Sequence, residues 1–592
     1  MLAPDARVVL LDQLRPPMGY RLDAAVATTF TLDLAAAIVP PLAFASFEMR
    51  GTPDPVAALE AVRSCADRVD VFCQAGQIRI PTQASDLMAY LEPMIHEVRR
   101  PRPGYLFHPK IWFLRYTGAD LPDLYRLLCS TRNLTGDRSW DAVVRLDGQR
   151  SSAPKAYNRP LSQLIGQLGD LAVTPVPVER AERIGALAED ARRVEWEFPD
   201  DVREISLHAF GIPTAPPQAD FSGYRHLIVA PFCNDAGVRH IAPMIGDVTL
   251  VSRVEDLDRV TPDALVGVTS FILNPLAGLS DPDDSEQEAG SSIFTGLHAK
   301  MIVVERNRKA HVFIGSANAT SAAFGGNIEF MVELIGGATK IGVDSFLGAD
   351  SPFRQLLDPY DATGGTSPDP GDEDLRAIEN LLRDLASQRF TLTISSLDGN
   401  YQADLTSGTA LSIQDGFTGT AELLTRPGDA VTLPSNAKAH ETFSGIPLAD
   451  LTPFVALRAT SPLGLTRGTV LRAALVNDPA GRLDEILARQ VDTPEKFLRF
   501  LALLLGLADP DSFTDTTGAG MGGGSYLRGG QAGVLELVMR ALAEQPDSLL
   551  DLDRLVERLR TTEAGRAVMP EGFADLWPTV MSAVARARQV AP

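Results

Sequence analysis

Lysine and histidine are both scarce in this chain of 592 residues, with seven and eight copies, yet His-x-Lys occurs twice, as His108-Pro109-Lys110 and His298-Ala299-Lys300. Random placement gives about 0.1 such triplets in a chain of this composition. Each triplet is followed by an apolar run that ends in hydroxyl and amide residues. Leu127-Leu128-Cys129 leads into Ser130-Thr131-Arg132-Asn133, and Val312-Phe313-Ile314 leads into Gly315-Ser316-Ala317-Asn318. A carboxylate closes each series, Asp141 eight residues after Asn133 and Glu329 eleven after Asn318. From His to carboxylate the separation is 33 residues in one series and 31 in the other.

These residue types suit attack on a phosphodiester. His and Lys two apart in an extended chain project to one face, so an imidazole and an ammonium meet the same phosphate. Lys110 and Lys300 supply fixed positive charge, while Asn133, Asn318, Thr131 and Ser316 supply neutral donors. Charge on the equatorial oxygens of the transition state is thereby met by the protein's own groups, with no cofactor and no metal expected. Two imidazoles divide the remaining work. One attacks phosphorus to give a phosphohistidine, the other donates a proton to the leaving oxygen, and water then resolves the intermediate. A carboxylate on Nδ1 fixes the tautomer and supports the imidazolium, a role that falls to Asp141 and Glu329.

With these residues in view, the sequence resembles the phospholipase D superfamily, whose duplicated motif is HxK followed by an Asp, then GSxN and an acid. The resemblance covers residues 20–350, and the second copy is the fuller match. In the first copy Arg115 stands at the usual Asp position and Ser130-Thr131 replaces Gly-Ser; in the second, Glu305 stands where Asp is usual. Ser130-Thr131-Arg132-Asn133-Leu134-Thr135 followed by Trp140 is similar to the tyrosyl-DNA phosphodiesterase and nuclease side of the superfamily. By this resemblance His108 is the nucleophile and His298 the general acid. It implies a nuclease acting on DNA or RNA, in bacterial antiphage defence or DNA processing beside a helicase or ATPase. Two alternatives stay open: a phospholipase or phosphatidyltransferase, and a DNA-binding scaffold without turnover.

The elements that must position these residues follow one rhythm twice. An apolar strand at 25–34, a helix at 54–65, a strand at 68–73, a helix at 85–98 and a strand opening at His108 are expected in the first copy. A strand at 226–230, a helix at 236–245, a strand at 247–251, a further helix and a strand opening at His298 are expected in the second. Strands alternating with helices argue a layered α/β sheet, and the repetition argues two copies of one α/β domain, 1–150 and 222–360, joined by a helical connector at 151–221. After Tyr360 the Gly, Pro, Ser and Asp of 361–371 mark a linker. A helix carrying Ile378, Leu381, Leu382 and Leu385 ends that linker segment at 389. A small β domain at 390–476, with turns at Asp398-Gly399 and Pro427-Gly428, and a helical domain at 477–592 complete the expected fold class.

Charge narrows the substrate question. The formal net charge is −22, which excludes a basic coat for polyanions. Residues 1–150 hold 17 basic and 17 acidic residues, whereas 151–350 and 351–592 each carry −11. Polyanion contacts are therefore expected to be local and to come from the first copy. Arg99-Arg100-Pro101-Arg102 lies just before His108 and reads either as a guide for such a substrate or as a solvated loop. The acidic run at 281–288 reads as a loop or as an electrostatic gate, and the glycines of 518–530 as a flexible linker without a phosphate loop's Lys-Ser/Thr. Four cysteines without CxxC spacing fit a reducing cytoplasm. The longest apolar stretch, 28–47, is interrupted by Asp33 and Pro40-Pro41, so neither a membrane span nor a signal is expected.

Overall fold

The computed structural model describes residues 10–44, 55–82, 84–136, 139–212, 219–243, 246–274, 296–367, 370–490 and 573–590, with a few single residues between 553 and 569. Its centre is a pair of sheets. The first uses β1 (Arg21–Thr29), β2 (Val69–Gln74), β3 (Ile95–Val98), β4 (Ile111–Gly118), β5 (Leu121–Ser130), β6 (Val143–Arg150) and β7 (Val194–Trp196) in the order β3-β2-β1-β4-β5-β6-β7. The second uses β8 (Val202–Phe210), β9 (Arg225–Val229), β10 (Asp247–Val251), β11 (Val268–Leu273), β12 (Met301–Arg306), β13 (Lys309–Gly315), β14 (Glu329–Gly337) and β15 (Leu357–Pro359). Their order is β15-β11-β10-β9-β12-β13-β14-β8. Leaving out β15, the two orders superpose strand for strand. In each sheet the first three strands are parallel and every later neighbour is antiparallel. The duplication expected from the repeated triplets is thus present in the topology.

The central strands read as near-continuous apolar runs because both faces are covered. Met301, Ile302, Val303 and Val304 of β12 are all at most 1% exposed. One core lies between the sheets and draws on both copies, from Ile111, Phe113 and Leu127 on one side to Met301, Val312 and Phe330 on the other. The helix Arg159–Leu171 closes it with Leu161, Leu164, Ile165 and Leu168, spaced along one face and all fully buried. Each such side chain contributes about 1.5–3 kcal/mol of burial. The helix Val178–Ala191 follows, and the connector then gives β7 to the first sheet and β8 to the second.

Two expected elements differ. The helix expected over 85–98 is a 3-10 turn, Asp86–Leu91, followed by the buried edge strand β3. Pro93 cannot continue a helical ladder, and Ile95, His96, Glu97 and Val98 are all buried in the sheet. The triplets do not open strands either. His108 to Lys110 and His298 to Lys300 lie in extended backbone just before β4 and β12, whose ladders start at Ile111 and Met301.

Beyond 360, the helix Pro370–Ala386 buries Ile378, Leu381, Leu382 and Leu385 as expected. Strands Phe390–Leu397 and Asn400–Ser407 form a hairpin around Asp398-Gly399, whose φ of 49° and 81° suit a two-residue turn. The six-stranded sheet of this region is not made of its own strands alone. Ile78–Arg79 and Leu32–Asp33, from the first copy, extend it through Val470. Arg482 makes a two-pronged pair with Glu92 (3.0 and 2.7 Å), and Phe454, Val470, Ile486, Val556 and Trp577 lie in one cluster with the first copy's core. Among the described residues no helix is long and apolar enough to cross a membrane. The acidic run at 281–288, the glycines of 518–530 and the stripe of Phe497, Leu501 and Leu504 lie outside the described residues.

Candidate active site

The two triplets meet at the seam between the copies, and the backbone that brings them there is duplicated bond for bond. His108 N donates to Ile328 O (2.8 Å) and Ile328 N to Leu106 O (2.9 Å); His298 N donates to Trp140 O (2.9 Å) and Trp140 N to Gly296 O (3.1 Å). Each His-x-Lys segment is therefore laced to the residue just before the other copy's carboxylate. Thr131 N donates to Ala142 O (2.9 Å) and Ser316 N to Phe330 O (3.0 Å). Leu134 bridges Leu32 as Ala319 bridges Cys233. The Asn133 and Asn318 turns are thus pinned to the ends of β1 and β9 in the same way.

This lacing decides which carboxylate serves which histidine. Glu329, fully buried, accepts from His108 Nδ1 at 2.8 Å, so the second copy's carboxylate holds the first copy's imidazole. The same oxygen, Oε2, accepts from Ser316 Oγ at 2.5 Å, and Oε1 accepts from Asn327 Nδ2 at 3.0 Å. Asn327, itself buried, was not singled out by the sequence; its Oδ1 accepts from Leu106 N at 2.9 Å and ties the carboxylate to the strand leading to His108. Asp141, the counterpart of Glu329, has a side chain one-third exposed, with Arg132 Nε 3.9 Å away.

The hydroxyls expected at the substrate are struts. Thr131 Oγ1 donates to Ala142 O (3.2 Å) and accepts from Ala142 N (2.9 Å); Ser316 Oγ takes Phe330 N (2.9 Å) and donates to Glu329. The amides differ: Oδ1 of both Asn133 and Asn318 is buried without a hydrogen-bond partner. An unpaired acceptor at both equivalent positions calls for a donor from a bound group or, with the amide turned end for end so that Nδ2 stands there, for an acceptor such as a phosphate oxygen.

Both lysines are buried, Lys110 at 2% and Lys300 at 1% exposure. Each donates to the carbonyl of its own histidine, at 2.9 and 2.8 Å. Lys300 also donates to Thr131 O (3.3 Å) across the seam and lies 3.4 Å from His298 Nδ1. Burial pushes the Lys110 ammonium down to about 7, against the pull of Glu329. Burial and then the neighbouring Lys110 push Lys300 well below the ordinary lysine range. Burial, followed by the nearby lysines, brings His108 to about 4 and His298 to about 2. Burial alone raises the Glu329 carboxyl, but His108, Lys110 and Ser316 outweigh it and hold Glu329 below the usual range. Two buried lysines face one fully buried carboxylate, and a phosphate oxyanion beside them would draw both to the ammonium form and neutralise the charge so gained. The Phe30 ring stands edge-on to His108 at 5.1 Å and forms an apolar wall beside it.

The departures from the superfamily pattern lie away from this centre. Arg115, five residues past Lys110 and so about 17 Å along the strand, pairs with Asp23 and Asp190 at 2.7 Å each. Glu305 accepts from Val343 N at 2.8 Å and caps the helix Val343–Leu347. Ser130 fits where Gly315 is required: a Cβ on Gly315 would lie 2.2 Å from Phe330 O, whereas Ser130 Oγ accepts from Arg132 N at 3.0 Å. Of the arginines before His108, Arg99 is held by Ala172 O and Val173 O, both at 2.8 Å, and Arg100 pairs with Asp384. Arg102 reaches Gly325 O of the second copy (2.8 Å) while lying 4.2 Å over the Tyr105 ring.

No protein-family model matches the chain, and no curated protein matches it in sequence. Solved structures do. Yeast tyrosyl-DNA phosphodiesterase is similar over 59% of this chain and 94% of that one, at 12% identity and a TM-score of 0.34. Phosphatidylserine synthase of Haemophilus influenzae Rd KW20 is similar over 64% and 90%, at 12% identity and 0.32. Polyphosphate kinase from Porphyromonas gingivalis is similar over 64% and 50%, at 14% identity and 0.31.

Proposed function

We propose that the chain is a phosphodiesterase of the phospholipase D type that cleaves nucleic acid through a phosphohistidine on His108. The observation that carries this reading is the inequality of the two imidazoles within one duplicated frame. His108 Nδ1 donates to Glu329, which leaves the lone pair on Nε2; His298 Nδ1 accepts the long contact from Lys300, which puts the hydrogen on Nε2. One ring is set to attack and the other to donate.

The phosphate neutralises Lys110 and Lys300, and its charge raises both histidine pKa values from the depressed values of the free site, so His298 takes up a proton at Nδ1 as substrate binds and Lys300 turns from that nitrogen to the phosphate. His108 Nε2 attacks phosphorus, the P–N bond forms and the P–O bond breaks. His298 gives its proton to the departing oxygen. Asn133 and Asn318 donate to the equatorial oxygens. Water, deprotonated by His298, then attacks phosphorus, the P–N bond breaks, and a phosphate monoester leaves.

A helicase or ATPase partner, in a bacterial cytoplasm and in antiphage defence or DNA processing, is the setting this reading carries with it. The test is incubation in EDTA with labelled single-stranded DNA, duplex DNA, RNA and phosphatidylcholine, beside a His108→Ala control. Cleavage of nucleic acid in chelator, lost in the control, is expected. Turnover of lipid alone, or none on any substrate, overturns it.

A further inference from the structure

The two copies differ at the rim of the site as well as at its centre. Following the register from β1 to β9, Gln74, the last residue of β2, and Arg253, two residues past β10, occupy equivalent places, and Thr31 and Phe232 precede the equivalent bridges at Leu32 and Cys233. In the first copy this place is closed. Gln74 is fully buried, its Oε1 accepting from Phe107 N at 2.8 Å and its Nε2 donating to Val98 O at 3.2 Å.

In the second copy the place is open, charged and aromatic. Arg253 donates from Nε and Nη2 to Leu297 O (3.1 and 2.9 Å), the carbonyl next to His298. Its Cζ lies 4.9 Å from the centroid of the Phe232 ring, which is 42% exposed, and Val254 beside it is 36% exposed. Among the described residues Arg253 makes no ion pair within 4.0 Å. Phe232 is rigidly carried: Cys233 bridges Ala319, next to Asn318, and Asn234 N donates to Ala319 O at 3.0 Å. Asn234 Oδ1 accepts from Gly237 N (2.9 Å) and Ser321 N (3.2 Å). Both rim side chains are thus anchored within two residues of His298 and Asn318. A singly exposed aromatic is ordinary at a protein surface; this one is set apart by being anchored against a guanidinium at the edge of the paired triplets.

We propose that Phe232 and Arg253 form a stacking platform for the nucleobase flanking the scissile phosphate on the His298 side. This rests on the phosphodiesterase reading and narrows it: the substrate is a strand whose base on the leaving-group side is unstacked, as in single-stranded nucleic acid or a frayed end. A planar ring backed by a guanidinium matches a base in shape and the adjoining phosphate in charge, and such stacking discriminates little among base identities. The absence of a matching platform on the first copy gives the bound strand one direction.

Binding is measured by fluorescence anisotropy on full-length protein carrying His108→Ala, with a labelled oligothymidylate and an abasic strand of equal length and charge. The base-bearing strand is expected to bind about tenfold more tightly. Phe232→Ala should remove that preference while leaving the abasic affinity unchanged, and Phe232→Trp should keep it. Arg253→Gln should weaken both strands and flatten the salt dependence by about one phosphate contact. A preference that survives Phe232→Ala, or is absent before substitution, overturns the platform. Cleavage of the same strands by the unsubstituted protein separates the two readings. Cleavage without base preference overturns the platform alone, whereas preference without cleavage supports the platform and overturns the hydrolytic reading.

Discussion

The first copy and the second share strand order, strand direction and the backbone bonds around their triplets, yet their side chains have diverged in opposite ways. The first copy's histidine is buried, backed by a fully buried carboxylate from across the seam and walled by Phe30. The second copy's histidine is more open, lies against Lys300, and has the Phe232 and Arg253 rim beside it. Backbone symmetry supplies two equivalent places for a ring, and the two Nδ1 atoms have unequal partners. In the function proposed above, that inequality is what would make one ring the nucleophile and the other the acid.

The sharpest way to break this comparison is to remove each ring in turn. His108→Ala is expected to abolish turnover and any covalent phosphoenzyme. His298→Ala should slow an alkyl phosphodiester by roughly 10²–10⁴-fold, but with a p-nitrophenyl ester, whose leaving group needs no proton, it should release a first burst of p-nitrophenol at close to the unsubstituted rate and then stall as the phosphoenzyme, for want of the base that activates water. Equal losses on both substrates for both variants would show that the rings share one role. Acid-quenched phosphoenzyme trapping reads the difference directly.

A smaller contrast lies in the carboxylates. Glu329→Gln leaves a neutral amide on His108 Nδ1 and is expected to lower kcat by about 10³-fold or more. Asp141→Asn, at a one-third exposed side chain, should cost about tenfold or less. Single-turnover rates beside the thermal midpoint of each variant check this, since a folding defect would move the midpoint as well.

The smallest effect concerns the lysines. Lys110, brought down to about 7 by burial, must be an ammonium to hold an oxyanion. Sulfate keeps its charge across the range, so its affinity should be level below pH 7 and fall by up to about tenfold per unit above it. Calorimetry across pH 6–9 reads the slope, and Lys110→Met should flatten it. A flat profile in the unsubstituted protein would contradict the depressed lysine.

Residue type and repetition made His108, Lys110, Asn133, His298, Lys300 and Asn318 legible, because chemistry that needs two copies of a scarce triplet leaves few other readings. That Glu329 serves the other copy's histidine was not legible. Nearly equal His-to-acid spacing in both series fits pairing within a copy as well as across the seam, and only the bridges Phe107–Ile328 and Trp140–Leu297 decide it. Arg253 and Phe232 were missed because neither repeats in the first copy, and repetition was the signal being followed. Strand β3 was hidden by the apolar run of 85–98, which reads as a helix until Pro93 is given its weight. The two-residue strand Ile78–Arg79 carries no periodicity at all.

That short strand has a consequence for how the protein is made. Ile78 pairs with Val470, Tyr90 Oη donates to Leu483 O at 3.0 Å, and Glu92 pairs with Arg482. These contacts span about 390 positions of chain, so a ribosome releases the first copy's edge long before its partners emerge. Native assembly of that edge waits until those partners have emerged, and until then the nascent first half exposes an unpaired strand.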